Sequence, residues 1–144
     1  MKNVFFENRL LRINANMLVK NLGGDDLKIY EEVEGFLLDY CNFYSLNMQN
    51  VFNTIVKFQS RYNLDVKNYL NTGKYPFELN NDYEISRQDY DIVLISSILL
   101  SSHRFEIMKL IKNINLMGSV AVVGIGQGIE LKFLEGVDLD IEAY

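Results

Sequence analysis

One segment limits the fold more than any other: Ser119-Val-Ala-Val-Val-Gly-Ile-Gly-Gln-Gly-Ile-Glu-Leu-Lys-Phe-Leu134. Val120 to Val123 is a short apolar run of strand type. A turn holding Gly124, Gly126 and Gly128 follows at once. Ile129 to Leu134 then reads as helix, and Leu139 to Tyr144 as a second strand. A strand that passes through a glycine turn into a helix, and from there into another strand, is the opening move of an α/β sheet.

Each glycine has a physical role in such a turn. Gly124 lets the chain turn sharply out of the strand. Gly126, with no Cβ, lets a ligand approach the backbone, and Gly128 lets the helix pack close to the sheet. The helix start offers unpaired N–H groups and partial positive charge, which suit a carboxylate or phosphate. The spacing is G-x-G-x-G. The third glycine of the dinucleotide pattern G-x-G-x-x-G would fall at Ile129, so that pattern is missed.

Val122-Val-Gly-Ile-Gly-Gln-Gly128 resembles the first motif of class I S-adenosylmethionine-dependent methyltransferases, and the likeness covers about residues 118–144. It implies a Rossmann-like sheet, S-adenosylmethionine as cofactor, a small-molecule substrate, and cofactor contacts at Gly124, Gly126 and Gly128. Two departures stand out. Val122 occupies a position where many members carry an acid. The acid that takes the ribose, about 20 residues past the first glycine, would fall at the very end of this chain or beyond it. Asp138 and Asp140 stand close behind Gly124 and leave little room for helix and return strand, and Glu142, which points along the proposed strand, is a weaker candidate. The expectation is therefore the front part of a longer protein, or one cut within its cofactor domain, with no catalytic residue assignable.

Residues 1–117 read as a helical cap or dimerisation domain, and 118–144 as the start of the cofactor-binding domain. The fold class is mainly α, a helical N-terminal domain followed by an incomplete βαβ segment. Apolar residues spaced for a helix run from Asn3 to Leu22, and Gly23-Gly24 stops them. Asp25 or Asp26 caps a second helix with the stripe Tyr30, Val33, Leu37 and Cys41. Met48 to Tyr62 gives a third helix. Asp65 caps a short fourth, Val66 to Asn71, which ends at Gly73. Lys74 to Ile85 is a loop with the only proline, Pro76. Ser86-Arg-Gln-Asp89 reads as a capping box opening one long helix, Arg87 to about Asn113. Its middle is apolar almost all round, which requires burial within the domain or against a second copy. A homodimer through the helical region is the expectation.

Composition removes several classes. Nearly half of the 144 residues are apolar, enough for a real core. The net charge is −5 and the bases are scattered, which argues against nucleic acid as a partner. Cys41 stands alone, so no internal disulfide forms, and Met1 to Lys20 is too polar for a signal peptide; a cytoplasmic protein fits. No metal-ligand spacing appears. The longest apolar run, Ile92 to Leu100, is far short of the roughly 20 residues a membrane span needs.

Other residues carry milder expectations. His103 sits in a polar stretch and reads as a surface or interhelix histidine rather than a general base. Cys41 reads as a small core residue. The many tyrosines suggest core rings with hydroxyls at the rim. Glu31, Glu32 and Glu34 read as a solvated face, and Arg104 and Glu106 as exposed ion-pair members. Gln127, inside the turn, reaches either a cofactor or solvent. Three functional classes follow: part of a methyltransferase, a non-catalytic helical interaction module, or a fragment of a nucleotide-dependent oxidoreductase, which the glycine spacing disfavours.

Overall fold

The computed structural model describes residues 3–74, 85–123, 127–134 and 139–143. A short 3-10 turn, Val4–Glu7, leads into α1 (Arg9–Val19), α2 (Asp25–Phe43), α3 (Met48–Thr72), α4 (Arg87–Leu100) and α5 (Ser102–Asn113). The chain ends in β1 (Gly118–Val122), α6 (Ile129–Lys132) and β2 (Leu139–Ala143). The expectation of a mainly helical chain with a small strand-containing segment holds.

Apolar girth places α4 at the centre. Its Ile92, Ile95, Ile98 and Leu99 are buried, and it packs against α1, α2, α3 and α5 of the same chain. The apolar middle that raised the choice between burial within the domain and burial against a copy is thus covered internally. Around it, Phe5 meets Phe52 with ring centroids 6.3 Å apart, and Tyr30 meets Phe105 at 6.2 Å.

Three helix boundaries differ from those the sequence suggests. The first helix does not run unbroken from Asn3. Asn8 adopts an extended backbone and caps α1 through its side-chain oxygen, which accepts from the N–H groups of Leu10 and Leu11. The third and fourth helices are one: Asp65 lies inside α3, because nothing between Tyr62 and Val66 forbids helical backbone. Gly73 ends that helix in the left-handed conformation, φ 66°, with its N–H on Tyr69 O at 2.7 Å.

The long helix from Arg87 breaks at Ser101, whose backbone is extended (φ −132°, ψ 121°). Serine favours helix ends over helix interiors, and the packing uses that tendency. The break frees the Leu99 carbonyl from its helical partner. The hydroxyl of Tyr30 donates to it at 3.3 Å and accepts from the Asn3 amide at 2.6 Å. Tyr30 is fully buried, so its hydroxyl sits in the core and not at the rim as the sequence suggested. Burial pushes its pKa up to about 12.

The solvated acidic face holds for Glu31, which is exposed, but not for Glu34. Glu34 is buried and accepts the Val4 N–H at 2.6 Å, tying the 3-10 turn to α2. Glu32 pairs with Lys112, and Asp26 with Lys109 at 2.9 Å, so the lysines near the end of α5 bridge to α2.

β1 and β2 pair in parallel, from Gly118↔Leu139 to Val122↔Ala143. Parallel neighbours need a crossover; a hairpin would give the antiparallel arrangement. Ile129 and Phe133, from the crossover, are buried in the same core as the helices. The strand segment is therefore docked on the helical part.

Candidate functional site

In a parallel sheet the carboxyl ends of the strands lie side by side, and ligands of open α/β sheets bind just beyond them. Here that edge holds Val122 and Ala143, with Gln127 and Gly128 in the turn above. Gly124 and Gly126 lie outside the described residues.

Gly128 is the N-cap of α6 and takes φ 75°, ψ 17°, a left-handed conformation. An added Cβ there would meet nothing nearer than Leu131 Cδ1, at 3.9 Å. Conformation, and not close helix–sheet packing, is what asks for glycine at this position.

Gln127 points neither to solvent nor away from the fold. Its side-chain amide donates to the Asp91 carbonyl on α4 at 3.4 Å. The Asp91 carboxylate in turn accepts from the Tyr40 hydroxyl of α2 at 2.9 Å. Burial, followed by this bond and the carboxylate charge, holds the Tyr40 phenol well above its ordinary pKa. It therefore acts as a fixed donor through the physiological range. Asp91 thus links α2, α4 and the glycine turn. A contact between Asp91, Tyr40 and Gln127, so far apart in the chain, has no periodic signal in the sequence.

The sheet has two unlike faces. Pairing puts Val120 beside Ile141 on one, and Ser119 with Asp140 and Ala121 with Glu142 on the other. Asp140 and Glu142 are both exposed. Of the acids considered for ribose binding, Glu142 is the nearer to the carboxyl edge; Asp138 lies outside the described residues.

On its apolar side the sheet borders a groove of about 410 Å³ lined by Leu110, Ile114, Val120, Val122 and Leu134. Glu130 also lines it, and Glu130 Oε2 is buried without a hydrogen-bond partner among the described residues.

The remaining sequence candidates fall apart from this edge. His103 is exposed at the start of α5. Cys41 is 2% exposed in the core, as expected of a small apolar residue, and burial raises its thiol pKa. Glu106 pairs with Lys109 at 3.3 Å. Ser86 and Asp89 form half of the expected box: the Asp89 N–H donates to Ser86 Oγ at 3.1 Å, while the Asp89 carboxylate accepts from the Ser86 hydroxyl at 2.9 Å, a contact between side chains. Among the described residues no cluster of three or more His, Cys, Asp or Glu is placed to hold a metal. No described helix is long and apolar enough to cross a membrane.

With this geometry in hand, known proteins offer no guide. The chain matches no protein-family model, no curated protein and no solved structure. Function has to be read from the site alone.

Proposed function

We propose that residues 118–144 are the opening βαβ unit of an S-adenosylmethionine-binding sheet, and that residues 1–117 are the helical cap of the same methyltransferase. The observation that carries this reading is the parallel pairing of β1 with β2 across the glycine turn and α6. A turn that merely reversed the chain would leave antiparallel strands. The left-handed Gly128 at the start of α6 supports it further. So does the exposed polar face carrying Glu142 near the carboxyl edge, where a ribose-binding acid belongs.

In this reading the cofactor supplies an activated methyl on a sulfonium, and the acceptor supplies the nucleophile. The chain's own contribution is positioning: turn amides toward the cofactor, and a helical cap that orders the acceptor and excludes water. Calorimetry of the protein with S-adenosylmethionine and with NAD tests it. Binding of the former alone, abolished by Gly128→Val, is expected. Binding of NAD alone would replace this reading with the oxidoreductase one.

A second reading has its own observation. Leu10, Ile13 and Met17 are 61%, 59% and 67% exposed and share one side of α1. Such a stripe supports a homodimer through the helical region, and it is compatible with a catalytic sheet. Sedimentation at rising concentration should show a dimer that Met17→Glu dissociates. A strict monomer would remove this second reading and leave the first intact.

A further inference from the structure

We propose that the groove between α3 and α4, at the point where α5 begins, binds an aryl carboxylate. The groove holds about 380 Å³, room for one substituted ring. Phe58 and Tyr62, four apart on α3, face Val93 and Leu100 of α4 across it. The rings and aliphatic chains form a slot suited to a flat apolar body.

Charge decides the rest. Among the described residues lining this groove, Arg104 carries the only fixed charge and His103 is the only other titratable base; no acid is present. That is notable in a chain of net charge −5. A guanidinium at the end of an aromatic slot matches a carboxylate in a planar, two-point contact. The Gln59 amide and the Ser101 hydroxyl lie on the same wall and add neutral hydrogen-bonding groups.

The groove has a direction. Past Phe58, Tyr62 and Val93 it continues into a second hollow that holds both signs of charge, Lys57 and Arg61 with Asp65 and Asp89. Asp89 is already bonded there by Thr54 and Ser86. The acids there balance the cations, whereas Arg104 has no acid beside it among the described residues of the groove, so the carboxylate is placed at Arg104 and the ring over Phe58 and Tyr62.

This site does not depend on the methyltransferase reading. At roughly 100° per residue, Asp89 and Val93 sit on one side of α4, and Asp91, which holds Gln127, on the other. The helix separates the groove from the glycine turn.

The test is an amide NMR titration of the 144-residue chain with benzoate, benzamide and inorganic phosphate. Benzoate should shift Gln59, Ser97 and Arg104, and benzamide and phosphate should not. Arg104→Gln should weaken benzoate about tenfold, the loss of one charge-assisted contact. Tyr62→Leu, at an exposed position, should weaken it too while leaving the fold unchanged. Equal response to benzoate and benzamide, response to phosphate alone, or benzoate shifts confined to other surfaces would each overturn the proposal.

Discussion

At the residue scale, the buried polar groups are the places where a single atom decides stability. Tyr30→Phe keeps the ring against Phe105 but strands the Leu99 carbonyl and the Asn3 amide. It should cost about 1–3 kcal/mol in urea unfolding, and a neutral result would mean that water replaces the hydroxyl. Glu34 gives a prediction with a sign. Burial raises its pKa in the folded state above the ordinary 4.5, and the bond from Val4 offsets this only partly. The folded state therefore holds that proton more tightly than the unfolded chain. Below the ordinary value both states are protonated; as pH rises through the raised value, stability is lost. Glu34→Gln keeps an acceptor for Val4 and removes the charge. Its stability relative to the parent should improve between about pH 4 and pH 7. A difference that stays flat with pH would contradict this account. Composition and local pattern made Cys41 and His103 legible, one apolar and one polar in setting. They failed for Glu34 and Tyr30, whose partners Val4, Asn3 and Leu99 are brought near only by tertiary packing.

At the element scale, periodicity located every helix-bearing stretch but not its breaks. The Ser86 box was readable because its partners are three residues apart. The Ser101 break was not, since Ser96 and Ser97 are equally serine and stay helical. What distinguishes Ser101 is the capture of the Leu99 carbonyl by Tyr30. Asp65 misled in the opposite sense: a good cap residue lies inside α3 because the flanking turns continue through it. Val66→Pro separates the two possibilities. Proline is welcome in the first turn of a new helix, but within a continuous one it costs about 3 kcal/mol. Far-ultraviolet dichroism should show lost helicity in this variant. Unchanged helicity would mean that α3 does end before Val66. The strand–turn–helix–strand order was the most legible feature, because a short apolar run meets a glycine-rich turn and then a helical stretch within a few residues. Gly128 was read with less success: the need there is a positive φ, not room for a neighbour.

At the scale of the whole molecule, a helical body surrounding α4 carries a two-stranded parallel sheet fastened through Ile129, Phe133 and the Gln127–Asp91 bond. Parallel sheets are ordinarily covered on both faces. Here one face shows Asp140 and Glu142 to solvent, and Val123 beside the turn is 81% exposed. On the proposed reading, two strands would supply only one wall of a cofactor pocket. The isolated 144-residue chain should therefore transfer no methyl group to any acceptor, and turnover by it would show that the site is more complete than the geometry suggests. The central claim, that the carboxyl edge of β1 and the turn above it receive an adenosyl sulfonium cofactor, is tested most directly by amide NMR of this chain with S-adenosylmethionine. The account predicts weak binding, with shifts confined to Val122, Val123 and Gln127 to Ile129, absent with NAD and lost in Gly128→Val. Shifts confined to the helical body, or none in the turn at saturating cofactor, would contradict it.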